Sequence, residues 1–325
     1  MDGRLITAIV VLVGVPGALL GYIYLTEILL KFAPERARPR LRPWLWMLPA
    51  LLFLFLFLIF PTILTILRSF QGALEGTFVG LDNYVWFFTS GDALISLRNS
   101  ALWVVFLTII AVGLGLLVAV LVDRVRYESF AKSVIFVPLA ISMTAAGVIW
   151  RFMFDYQSPG QPQTGTLNGI LSVFGLGPVS FLQVDTLALN TIFLIVVMAW
   201  MWTGFAMVIL SAALKGISTE LLEAGRVDGA TEWQVFRGIV FPLLLPTVAV
   251  VSTTIVITAL KAFDIVYVMT NGNFSTDVVA SRMIKESFTF GNIGHGSALA
   301  VILLLAIIPI MALNISRFRA QEAIR

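Results

Sequence analysis

Leu51-Leu52-Phe53-Leu54-Phe55-Leu56-Phe57-Leu58-Ile59 is apolar at every position. A barrel strand alternates between lipid-facing and lumen-facing residues, and this run does not. It is therefore read as helix. It lies within Trp44–Leu67, which carries no Asp, Glu, Lys, Arg or His. Six more stretches share that property for 18 residues or more: Leu5–Thr26, Asn99–Val122, Ser133–Trp150, Thr186–Leu214, Gly238–Leu260 and Gly296–Ser316. Crossing about 30 Å of hydrocarbon at about 1.5 Å per residue takes roughly 20 residues. The chain has 325 residues, 59% apolar and 12% charged. That charged share is about half that of a soluble domain. The sequence predicts an all-α integral membrane protein with seven spans.

The basic residues set the direction of insertion. Lys31–Pro43, Asp123–Lys132, Lys215–Arg237 and the tail after Ser316 hold 14 of the 21 Lys and Arg residues, including Arg124, Arg317, Arg319 and Arg325. Those segments are expected in the cytoplasm, with the N-terminus outside. The net charge of +3 then reflects topology and not nucleic-acid binding. The first apolar run is long and leads into Tyr22, Tyr24 and Glu27, so it reads as a retained helix and not a cleaved signal. Its Gly17-xxx-Gly21 spacing is either a packing face or the ordinary glycine content of spanning helices. Residues 151–185 and 261–295 read as external loops, the second with the turn-prone Asn271-Gly272-Asn273.

Several chemistries are excluded or disfavoured. The absence of cysteine excludes disulfides and thiolate sites. No phosphate-binding glycine loop of the GxxxxGK[ST] type occurs. No ionisable residue lies near a span centre, which argues against an ion-coupled carrier or channel working alone. The single histidine, His295, sits among glycines and reads as a loop residue. Scattered carboxylates give a membrane enzyme no pair, and cytoplasmic loops are too short for an exporter-type domain.

If the chain transports a solute, the remaining candidate for energy input is a partner protein. Ser218 or Thr219 is placed to cap a helix, with Glu220 in its first turn and Leu221, Leu222 and Ala224 on it. Asp228-Gly229 signals a tight turn. Ala230–Arg237 reads as a second short helix, followed by Pro242 and Pro246 at the base of the next span. The element reads equally well as a docking surface for a soluble partner or as an amphipathic loop lying on lipid.

The run Glu223-Ala224-Gly225-Arg226-Val227-Asp228-Gly229-Ala230, with Ile239-Val240-Phe241-Pro242, resembles the EAA motif of binding-protein-dependent ABC importer permeases. It departs from that pattern at Gly225, where Ala is expected, and at Phe241, where Leu is expected. The resemblance extends over about 44–317 and points to carbohydrate-uptake permeases of the maltose and glycerol-phosphate type. Asn271-Gly272-Asn273-Phe274 and Arg282-Met283-Ile284-Lys285-Glu286 look like the alpha-glucoside branch.

The resemblance implies a six-helix type I importer core at 44–317, with a coupling segment at 215–242. To this are added an extra helix at 1–31, a basic cytoplasmic linker at 32–43 and a cytoplasmic tail at 318–325. It implies a multi-pass protein of the bacterial cytoplasmic (inner) membrane that is not itself an enzyme. The expected partners are a second, different permease chain, two ATPase subunits that hold ATP and Mg, and an extracytoplasmic sugar-binding protein. Glu220, Leu221, Leu222, Glu223, Ala224, Gly225, Asp228, Gly229 and Ala230 would face the ATPase. Aromatic faces and hydrogen-bonding groups bind sugars. On that ground Asn190, Trp200, Trp202, Thr203, Thr258, Lys261, Asp264 and Tyr267 are candidates for the solute path, unless Lys261 and Asp264 merely pair with each other. The outer segments 155–185 and 271–283 are expected to meet the binding protein.

Overall fold

The computed structural model describes residues 3–73, 76–123 and 125–322. Arg124, Arg325, the end of the expected tail at 323–325 and the side chains of Arg317 and Arg319 lie outside the described residues. The chain divides into two compact units, Met1–Thr65 and Ile66–Arg325.

In the first unit, the helix Gly3–Lys31 is followed by the start of Arg38–Arg68. The Tyr22 hydroxyl donates to the Leu45 carbonyl. Arg42 pairs with Glu27 at 2.9 Å. Arg38 donates to the carbonyls of Ala33 and Lys31, at 3.0 and 3.2 Å. Phe53, Phe57 and Leu58 are exposed, as a lipid solvent permits.

The second unit is organised around Leu189–Lys215, whose buried residues include Leu194, Ile195, Met198, Met207 and Leu210. Lipid tails are as apolar as the helices, so close packing, not water exclusion, holds such helices together. Glycine permits the closest approaches. A Cβ on Gly115 would lie 2.6 Å from Ala206 Cβ, and one on Gly204 would lie 2.6 Å from the Ile135 carbonyl. Trp103 and Leu107, from the helix Gly91–Val122, complete the core.

Among the described residues six helices are long and apolar enough to cross a membrane, and one bent helix pair makes up to seven if it is a single span. The expected span Ser133–Trp150 is in fact Glu128–Ala140 and Met143–Met153, bent by 98°. Pro138 lacks the amide that would continue the ladder, and Ser142 caps the second half through the Ala145 amide at 3.2 Å. The second short helix is also corrected. Glu232 to Leu260 is one helix, with Pro242 and Pro246 inside it. A wide turn at Phe236–Val240 makes room for the proline ring where a regular turn would clash. Residues 261–295 are not an open loop, since they hold the helices Asp264–Met269 and Val279–Ile284. His295 lies in the first turn of Ile293–Glu322, its amide capped by Asn292 at 3.0 Å.

Candidate coupling surface and solute path

Thr219–Val227 is a helix whose N-cap, Ser218, makes no side-chain capping bond. Its C-terminus closes through a paired motif. The Gly229 amide donates to the Arg226 carbonyl at 3.0 Å, and the Ala230 amide to the Gly225 carbonyl at 3.1 Å. This arrangement needs a left-handed residue, and Gly229 supplies it at φ +82°. The next helix starts at once. Thr231 and Gln234 form a reciprocal capping box, with the Thr231 amide donating to Gln234 Oε1 at 2.7 Å. Across the turn, Arg226 grips Glu232 with two bonds, Nε–Oε1 at 2.6 Å and Nη2–Oε2 at 3.1 Å. The Glu232 hydrogen bond raises the Arg226 pKa, and the Glu223 charge adds to it. The Thr-x-x-Gln spacing was a readable signal for the cap. The Arg226–Glu232 clamp had none.

The inner side of this hairpin packs on the membrane domain. Leu222, Ala230, Val235, Ile239 and Leu244 form one apolar cluster. Gly225 faces it: a Cβ there would lie 2.9 Å from Ile239 Cδ1. A cavity of 240 Å³ remains beside it, lined by Asp123, Arg226, Glu232 and Phe236 among others. The outer side is open. Glu220, Leu221, Glu223, Ala224, Asp228 and Gly229 are exposed, as are Val227 and Trp233, which sequence reading did not single out for this face. Val227 is 86% exposed and Trp233 66%. Leu222, Gly225 and Ala230 thus form the inner side and the remaining candidates the outer one.

The solute-path candidates do not converge. Asn190 is buried and donates to the Phe274 carbonyl at 2.6 Å. Thr258 bonds the Thr254 carbonyl of its own helix. Trp200 and Thr203 share an apolar cleft of 350 Å³ with Ile110, Leu114 and Pro138, and Thr203 bonds the Ala199 carbonyl. Trp202 packs against Phe205, and its buried indole N–H has no hydrogen-bond partner among the described residues. Lys261, Asp264 and Tyr267 follow the Phe241–Leu260 helix in the chain, the last two in Asp264–Met269. No ion pair joins Lys261 to Asp264 among the described residues. Tyr267 is half-exposed and stacks on Phe263 at 5.1 Å.

A polar pocket of 280 Å³ was not anticipated. It brings Arg151, Asp155, Tyr156, Ser180 and Gln183 against Phe274. Hydrogen bonding from the Thr164 hydroxyl holds the Asp155 carboxyl below its usual range.

The segment 271–283 differs from expectation. Thr276 to Ser281 is buried, leaving Asn271, Asn273 and Phe274 exposed. Asn99 donates to the carbonyls of Ser275 and Asp277, at 2.6 and 2.8 Å. Buried charges are paired: Lys285 with Asp277 at 3.2 Å, and Arg282 with Glu286 at 2.8 Å and Asp92 at 3.1 Å. His295 bonds Glu286 at 3.2 Å and stacks on Trp86 at 3.7 Å. Among the described residues no group of His, Asp and Glu has the arrangement of a metal site.

Comparison with known proteins places this architecture. Residues 111–325 match the family described as binding-protein-dependent transport system inner membrane component. The osmoprotective compounds uptake permease protein GgtC of Synechocystis sp. is 52% identical over 86% of this chain and 100% of its own length. The alpha-glucoside transport system permease protein AglF of Rhizobium meliloti is 43% identical over 85% of this chain and 82% of its own. A crystal structure of a bacterial alginate ABC transporter contains a chain of the same fold, with a TM-score of 0.73 at 21% identity, covering 86% of this chain and 94% of that one. The chain therefore belongs to the binding-protein-dependent transport system inner membrane components, as an ABC-importer-type permease subunit of a solute uptake system in the inner membrane.

Proposed function

We propose that this chain forms half of the translocation path of an ATP-driven importer for an alpha-glucoside, and that a separate ATPase drives it through the hairpin 215–242. The observation that carries the coupling reading is a rigid frame with an open outer face. The Schellman closure at Gly229, the capping box at Thr231 and the Arg226–Glu232 clamp fix a surface of exposed acidic and apolar groups. A flexible loop transmits no displacement. Glu223 offers its carboxylate to a basic groove on the ATPase, where a charge-assisted bond forms. In this reading ATP and Mg are held by two such ATPase subunits, the path is completed by a second permease, and an extracytoplasmic binding protein delivers the solute. The hairpin lies in the cytoplasm, and the helix at 1–31 starts outside.

The alpha-glucoside reading draws on the resemblance of 271–286 to that branch and on the 43% relative. The 52% relative, named for osmoprotective compounds, favours a second reading in which the solute is an osmoprotectant of another class. Uptake by the reconstituted importer, with maltose, trehalose, sucrose and glycine betaine as competitors, separates them. Competition by the three sugars is expected. Competition by betaine alone would overturn the alpha-glucoside assignment.

A further inference from the structure

We propose that the turn joining the first two helices is a binding site for anionic phospholipid headgroups. Lys31–Pro43 carries five basic residues, Lys31, Arg36, Arg38, Arg40 and Arg42. Two of them are spent within the hairpin. Arg38 closes the end of the first helix by donating to the carbonyls of Lys31 and Ala33, and Arg42 neutralises Glu27. Lys31, Arg36 and Arg40 are exposed and make no ion pair or side-chain hydrogen bond among the described residues. The only acid between them is Glu35, also exposed.

The geometry sets these three cations at a membrane surface. The flanking helices Val10–Lys31 and Arg38–Arg68 are both apolar enough to span. The second has 31 residues, and at about 1.5 Å per residue it is longer than a hydrocarbon core of about 30 Å. Its basic first turns therefore stand in the headgroup layer. Phe32, Trp44 and Trp46 are exposed by 84%, 65% and 51%, and indole rings favour that layer. Arg40 and Trp44 are four apart on one helical face, which sets a cation directly beside an interfacial ring. A polybasic stretch beside a spanning helix attracts anionic lipid. Here the structure identifies which three of the five charges remain available. The site lies outside the matched 111–325, and the chain covers the whole of the 52% relative with residues to spare. It is independent of the proposed substrate and of the ATPase coupling.

The test is binding of phosphatidylglycerol and phosphatidylcholine to the detergent-purified full chain, where the direction of insertion has no influence. Phosphatidylglycerol is expected to bind preferentially. Each of Lys31→Gln, Arg36→Gln and Arg40→Gln should weaken it about fivefold, and the triple variant on the order of a hundredfold. The charge-preserving set Lys31→Arg, Arg36→Lys and Arg40→Lys should retain most of the binding, so failure of the neutral variant to fold does not hide the answer. Inorganic phosphate should not displace the lipid, because the exposed Phe32, Trp44 and Trp46 add apolar contact that a free ion lacks. Equal binding of both lipids, undiminished binding by the triple variant, loss in the charge-preserving set, or displacement by phosphate would each overturn the proposal.

Discussion

The hairpin at 219–235 and the segment at 264–286 look alike in sequence. Both interrupt spans, both are rich in polar residues, and both turn on residues with positive φ: Gly229 in one, Asn271 and Gly272 in the other. Their structures are opposites. In the hairpin, Glu220, Glu223 and Asp228 point to the exterior and make no ion pair among the described residues. In the other segment, Asp277 and Glu286 are buried, and each carboxylate meets a cation. These three carboxylates of the first are left to the exterior, while those of the second are consumed by the fold. The difference is set by where partners sit. Arg282 finds Asp92 a hundred and ninety residues away, whereas the cation nearest in effect to Glu223, Arg226, is already bound to Glu232.

This contrast can be broken in order of expected effect. Glu286→Ala leaves Arg282 and His295 without their shared carboxylate in a buried site, and should cost about 3 kcal/mol of stability. Unfolding of the purified chain measures it, and a loss below about 1 kcal/mol, the range of exposed pairs, would mean that the network is not structural. Gly229→Val forces a β-branched residue into a left-handed position and should cost about 1–2 kcal/mol. Uptake should fall with it. Unchanged stability would show that the turn relaxes without its glycine. Glu223→Lys should change stability by less than about 0.5 kcal/mol, as expected of an exposed site, yet abolish uptake by the assembled importer. Normal uptake in that variant would remove the coupling role. A stability loss matching Glu286→Ala would erase the distinction between the two regions.

Much of the fold was legible because lipid imposes a simple rule. Charge-free runs of sufficient length located all seven candidate spans, and the Asp228-Gly229 pair located the turn. Less legible were features that depend on geometry between distant residues. Nothing in Ser133–Trp150 announces a 98° bend; Pro138 alone is common in spanning helices, and the close approach at Gly204 comes from another helix. Pro242 and Pro246 suggested a helix boundary, yet the wide turn at Phe236–Val240 carries the helix through. For the candidate site, the outer face was read from the local pattern. The inner packing of Gly225 against Ile239 was not, because it needs the helix after the turn. The glycine that departs from the family pattern thus lies where a side-chain carbon would press on Ile239 of the following helix. The solute path was the least legible part, since Asn190 and Thr258 use their polar atoms on the protein's own backbone.

The continuity of Glu232–Leu260 has a geometric consequence. Twenty-nine residues make a rod about 43 Å long, so a rotation of about 5° around its midpoint moves each end by roughly 2 Å in opposite directions. Trp233 stands at one end, and Lys261 follows directly after the other. If the helix tilts as one piece, a push at the Trp233 end would appear as an opposite displacement at the Lys261 end, without any bond being remade.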